Sequence, residues 1–511
     1  MRTLKITDRS GEQGVALVMA LLMVLAVSVL TSSLVMVARS EATSSTSYTS
    51  MSQVRYGAES GIHAAANHLL FGYVAPTAAS ATDPLANFDM SGSPVRYNGR
   101  PVMLSSNPDF ASNYPVPAVI NAFVAGSVGN LNVTGAPAVA GAGSLNVGYN
   151  ARATLMSMTI VTDYYTQQPI TLQSWQIIGA GRLAGSGASL VEVEATIERQ
   201  PVPVFAYAAF ATHNGCSALN FAGGATTHSY DSAALVGGAA VLSNSGGNVG
   251  TNGNLDGNGG PTDINGTLST PRAGVGNCTA NNVTASTIQG WGTVNEGLIT
   301  LPQPITLPTP PDPNPPTTAV NFNAAGGCPA GAPSAPTCVT SAGGSTITPT
   351  VTNPPGQTVV QMGNVQLTGS AVVHLRAGIY EVNTLKLAGN SRIIIDSGPV
   401  VIKVKGQGDA TPLDLEGGGV SNPSLDPTML QFVYAGTGNI KITGGTDTAA
   451  LVYAPNATAA LTGSSTNFYG AIVTNKVAAT GGFTLNYDRR LQRTIMTAGN
   501  PTMTSFTWRT F

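Results

Sequence analysis

The side chains able to do chemistry in this 511-residue chain are few: four cysteines, five histidines and 24 carboxylates. Cys216, Cys278, Cys328 and Cys338 contain no CxxC pair, so their spacing does not suggest a zinc site, and an even count outside the cytoplasm points to disulfides. Cys328 with Cys338 would close a short Gly/Pro/Ala-rich loop, which leaves Cys216 with Cys278 to staple neighbouring turns. His63, His68, His213, His228 and His374 form no i, i+4 pair that could hold a metal from one helical face. The segment from Asn252 to Gly257, with Asp263 at the twelfth place, has half the look of a calcium loop. That loop begins with Asp and ends with Glu, and a polar Gly/Asn turn accounts for these residues better. Glycoside hydrolysis needs two carboxylates held about 5–10 Å apart. The chain has no Asp-Asp, and Asp396, Asp414 and Asp426 stand alone near glycine or proline. Neither G-x-S-x-G nor a P-loop occurs. The expectation is a protein that is not an enzyme, with no catalytic, cofactor or metal residues. A carbohydrate-active β-helix enzyme is the catalytic alternative, because distant strands can bring carboxylates together.

What must position such residues is a chain poor in charge and rich in turns. Charged residues are 9% and apolar ones 42%, with 60 glycines and 33 prolines, against about 25% charged in ordinary soluble domains. Net charge is −2, from 22 basic and 24 acidic residues, so nothing is in surplus to neutralise phosphates and nucleic acid is not an expected partner. The composition is that of a β-rich protein outside the cytoplasm.

From Gly14 to Ala38 no residue is charged, a run of 25 where spanning a bilayer takes about 20. Arg2, Lys5 and Arg9 precede it, so the positive-inside rule puts the N-terminus in the cytoplasm and the bulk in the periplasm, with a single pass through the inner membrane. A cleaved secretory signal is the alternative, although its apolar core is usually only about 7–15 residues. The helix is expected to run on, since Ala58, Ile62, Ala65 and Leu69 share one helical face and Glu59, His63 and Asn67 another. Ala16 and Ala20 form a small-xxx-small pair that admits a close helix neighbour.

The run Glu12 to Leu22, EQGVALVMALL, resembles the start of PilX-type type IV pilus assembly proteins, and Tyr56 to Gly61, YGAESG, resembles a second segment of that family at a similar spacing. The resemblance implies a minor pilin or pilus-assembly factor. Its partners would be the inner membrane, other pilins and minor pilins, and a prepilin peptidase cutting between Gly14 and Val15. The fifth residue after that cut is Met19, where such proteins carry a glutamate, so no carboxylate stands there to pair with a neighbour's terminal amine.

Strand patterns fill the rest. Val191 to Glu198 alternates strictly, which puts Val191, Val193, Ala195 and Ile197 on a core and Glu192, Glu194 and Glu198 in water. A long helix followed by an antiparallel sheet is also the general pilin plan. Further on, short β-prone runs end in glycine at 369, 389, 444, 463 and 481; the steps are near 20 residues, except that 389 to 444 is close to three of them, and this suggests β-solenoid rungs with glycine corners. A β-sandwich is the rival. Ala377 to Tyr380, Gly398 to Val401, Tyr453 to Ala457, Phe468 to Ile472 and Trp508-Arg509 resemble a pilus-associated domain of unknown function that accompanies PilX-type N-termini. Leu301 to Thr318 holds eight prolines and reads as a stiff polyproline II spacer and the best domain boundary.

The expected fold is mainly β: a long N-terminal transmembrane, pilin-like helix, a small antiparallel sheet, then a β-solenoid-like (right-handed β-helix) C-terminal half. The divisions are a cytoplasmic leader over 1–13, the helix over 14–72, a pilin-like loop and sheet region over 75–200, and a solenoid-like region over 201–300. A Pro/Gly-rich linker or insertion follows over 301–355, then a solenoid-like domain over 356–488 and a tail over 489–511. A membrane-tethered surface adhesin outside any filament is the alternative function.

Overall fold

The computed structural model describes residues 12–77, 84–132, 146–183, 190–258, 260, 262–271, 282–283, 292–301, 304–341, 343–353, 357–443, 448–463 and 467–510. The chain divides into two compact units. The first comprises 1–160, 171–199 and 501–511, and the second 161–170 and 200–500. The fold is mainly β, with one long N-terminal helix, small antiparallel sheets and one large parallel sheet.

In the first unit the helix Glu12–Asn67 continues as a π-turn, His68–Gly72. Its C-terminal half lies on an antiparallel sheet ordered Met103–Ser105, Asn146–Thr162, Pro169–Leu183, Leu190–Glu198 and Thr502–Thr510. The stripe Val54, Ala58, Ile62, Ala65 and Leu69 is buried, as a helix seated on one face requires. Leu190–Glu198 presents Val191, Val193, Ala195 and Ile197 to the same core, while its glutamates, expected in water, are half-buried on the other face, where Arg152 lies 3.5 Å from Glu192 and Gln176 donates to Glu194. The segment expected to be a tail is not one. Thr502–Thr510 pairs antiparallel with Leu190–Glu198, because its extended, Thr-rich sequence completes an otherwise open sheet edge.

The second unit is a parallel ladder in which the chain returns onto itself. Val365 pairs with Leu385, Leu385 with Leu413, Leu413 with Ile440, Ile440 with Ala459, Ala459 with Val477 and Val477 with Leu219. All these side chains are buried, so apolar residues stack on apolar residues from pass to pass. Gly369 and Gly389 both sit at φ +67°, and a Cβ on Gly389 would come within 2.9 Å of the Gly369 carbonyl oxygen. Both corners need the left-handed backbone, and Gly389 needs the missing side chain as well. Gly444, expected to close another rung, lies outside the described residues.

The order of the passes departs from the order of the chain. Strands from Ala209–Ala211 to Thr226–Tyr230 stack on Asn467–Thr480 and Thr484–Asp488, and those from Val249 to Leu301 build outward from there. Leu301 and Ala319 thus lie at opposite ends of one ladder, about ten strand spacings or roughly 48 Å apart. The eighteen-residue proline-rich step between them covers about 56 Å as polyproline II. Its contacts follow the ladder in order. Ile305 is bound by Asn252 through both backbone groups, at 2.8 Å each. Asn456 donates to Thr309, Lys405 pairs with Asp312 at 2.8 Å, and Asn364 donates to the Thr317 carbonyl. Ile305, Leu307 and Pro308 are half-buried and Pro310, Pro313 and Pro315 are buried, so the segment lies against the unit rather than apart from it. The segment read as a spacer and domain boundary is therefore a strap within one unit, and 201–300 and 356–488 are parts of a single ladder.

Candidate functional site

The element that stands out chemically is the N-terminal half of the long helix. Every large apolar side chain from Val15 to Val37 is exposed, and none of the most apolar stretch is buried, although its mean hydropathy is 2.6. Among the described residues this is the one helix long and apolar enough to cross a membrane. Two of its hydroxyls are satisfied within the helix. Ser28 donates to the Leu25 carbonyl at 2.8 Å and Thr31 to the Val27 carbonyl at 2.6 Å, so neither needs water. Thr43, Thr46 and Thr49 repeat the same i−4 bond beyond Arg39, which lets a Ser/Thr-rich stretch stay helical.

The helix changes character after Gln53. Arg55 and Glu59 pair one turn apart at 2.9 Å, and the opposite face meets the sheet through glycine on both sides. A Cβ on Gly181 would lie 2.0 Å from the Val54 carbonyl oxygen, and one on Gly179 would lie 2.2 Å from that of Ala58. On the helix, a Cβ on Gly61 would lie 2.6 Å from the Asn150 carbonyl oxygen. Glycines two apart on a strand and four apart on a helix (Gly57 and Gly61) thus bring the two backbones together. This seam escaped the sequence reading. Its signal was present, since isolated glycines within the strand pattern of 174–183 mark close backbone approach.

Gly14 and Val15 fall in the first turn of the helix Glu12–Asn67, and the leader up to residue 11 lies outside the described residues. Met19 is exposed on the same turn-rich apolar surface. Cys328 and Cys338 are joined, in the loop before the hairpin Cys338–Ser341 and Gly344–Ile347. Cys216 is disulfide-bonded, and Cys278 lies outside the described residues.

The residues weighed for catalysis or metal binding do not converge. Asn252 holds the strap, Asn254 and Asp256 bind Ser217, and Asp263 accepts from Thr293. Asp396 pairs with His374 at 2.7 Å, and Lys441 lies 4.0 Å from Asp414 and 3.1 Å from Glu416. Asp426 caps the turn Pro427–Met429, and Arg490 approaches it at 3.5 Å. The carboxylates expected to stand alone thus each have a basic side chain beside them. Asp488 caps Arg489–Arg493 in the same way. Burial raises its pKa, hydrogen bonds from Ser232 and Arg490 oppose the rise, and the Asp426 charge adds to it. Among the described residues no three His, Cys, Asp or Glu side chains are grouped to hold a metal ion.

A family described as a domain of unknown function (DUF7305) matches residues 379–494, all within the ladder and less than half of the chain. No curated protein matches the chain. Among solved structures, the competence-associated pilin ComZ from Thermus thermophilus aligns with 12% identity over 91% of this chain and 98% of its own, with a TM-score of 0.20. At that score the alignment carries no argument about fold or function.

Proposed function

We propose that this protein is a non-catalytic minor pilin or assembly factor of the type IV pilus machinery. Residues 14–38 would anchor it in the inner membrane, N-terminus in the cytoplasm, and the β-rich bulk would face the periplasm. The observation that carries this reading is one unbroken helix with two chemistries. Its first half is apolar all round and exposed, and its second half seats one apolar stripe on an antiparallel sheet. An exposed surface of that kind needs a non-aqueous neighbour, and a bilayer or the helices of other pilins would supply one. The resemblance of 12–22 and 56–61 to PilX-type proteins supports the second neighbour.

Met19 sets the copy number in this reading. A carboxylate five residues after the cut offsets a neighbour's amine in an apolar filament core, and a thioether cannot. Incorporation is then rare, at a position such as a filament tip where no subunit's amine needs an acid. The test is Gly14→Val, with N-terminal sequencing of the wild-type protein from membranes and from sheared pili. Cleavage before Val15 that the variant abolishes, with the protein present in sheared pili, supports the proposal. A wild-type chain with Met1 intact and absent from pili sinks it. The same methionine favours a second reading, a membrane-tethered surface protein outside the filament, and that second result would select it.

A further inference from the structure

The register of the ladder sets Asn321, Gln366 and Lys386 abreast on three neighbouring strands, one strand spacing of about 4.8 Å apart. The turn carrying Gln407 and Asp409 borders this row, together with Ala319 and Thr384. The resulting groove has a volume of about 320 Å³. Its floor is held in place by Asn364, whose amide donates to the Thr317 carbonyl at 2.8 Å and whose oxygen accepts from Asn383 at 2.7 Å. Asn321, Gln366 and Gln407 are exposed, and none of their side chains has a hydrogen-bond partner among the described residues. Lys386 and Asp409 pair with each other at 2.6 Å.

We propose that this groove is a binding site for a neutral polyhydroxylated ligand, a glycan unit of about disaccharide size. A carboxamide both donates and accepts, as does a sugar hydroxyl, so three convergent carboxamides suit adjacent hydroxyl groups. The only charges cancel within the site, which leaves an anion no free cation and a cation no free carboxylate. The lining is mostly polar, which disfavours an apolar ligand. The volume lies at the small end of ordinary ligand sites, about 300–1,000 Å³. The site is independent of the pilus reading and would stand if that reading fell.

Saturation-transfer NMR on the full chain in lipid nanodiscs tests it. The probes are maltose, cellobiose, lactose and N,N′-diacetylchitobiose at about 10 mM, with glucose 6-phosphate as the anionic comparison. At least one neutral disaccharide should give transfer, and the double variant Gln366→Ala/Gln407→Ala should weaken it about tenfold, as expected when two hydrogen-bonding groups are lost. Gln361→Ala, whose amide binds Glu381 outside the groove, should leave it unchanged. Both substitutions are at exposed positions, and an unaltered melting curve verifies the fold. No transfer from any disaccharide, transfer that survives the double variant, or stronger transfer from glucose 6-phosphate would each overturn the proposal.

Discussion

The two units are held together by opposite strategies. In the first, a single helix reaches its sheet along one seam, and Gly179 and Gly181 meet the Ala58 and Val54 carbonyls with no room for a methyl group. In the second, the same kind of apolar contact recurs from pass to pass, Val365 on Leu385 on Leu413 on Ile440, and no single pair carries the unit. Backbone contact leaves no side chain to rotate away, so the seam should fail abruptly, whereas stacked side chains can relax around a loss.

The sharpest way to break this contrast is Gly181→Val. Overpacking against backbone should cost more than about 3 kcal/mol. Hydrogen exchange should then show residues 54–69 losing protection while the strands of the second unit keep theirs. Equal loss in both units would mean the seam is not a separate point of failure. Ile440→Ala, in the middle of the ladder, should cost about 2–4 kcal/mol from the cavity it leaves, read as a lowered denaturation midpoint without selective loss of any pass. Asn252→Ala strips Ile305 of two hydrogen bonds and should cost about 1–3 kcal/mol. Limited proteolysis should then cut first within 304–318, and an unchanged cleavage pattern would show that the strap's other contacts, to Asn456, Lys405 and Asn364, hold it without Asn252. Asp488→Asn should act least. The pKa of this carboxyl is raised in the folded state, so the folded protein binds its proton more tightly than the unfolded chain does. Stability therefore falls as pH rises from about 4 through that raised value. The asparagine variant should flatten that slope in melting curves taken across pH, and a slope unchanged by it would place the titration elsewhere.

Patterns local to one element were legible in the sequence. The stripe of Ala58, Ile62, Ala65 and Leu69 and the alternation from Val191 to Glu198 both report a face that one element buries, and period alone reveals a face. The corner glycines at 369 and 389 were legible for the same reason, since each answers to its own backbone. What period cannot report is which pass lies beside which. Nothing in Leu219 or Phe221 says that they stack on Val477 and Ala479, more than two hundred residues away, and so the prolines between 301 and 318 looked like a boundary. The candidate groove was hidden likewise, because Asn321, Gln366 and Lys386 become neighbours only through register.

The permuted stacking has a consequence for how this molecule comes into being. Synthesis delivers residues 209–301 well before Asn467–Thr480, the strands on which they rest. The early passes can stack on one another, Val249–Thr251 on Ala209–Ala211 and Leu255–Asn258 on Leu219–Ala222, but their join to the rest of the ladder waits for its last strands. Closure of the second unit is therefore a late event with long loops to close. Until Asn467–Thr480 arrives, the early passes carry an unpaired sheet edge, the kind of surface on which another chain can add a strand.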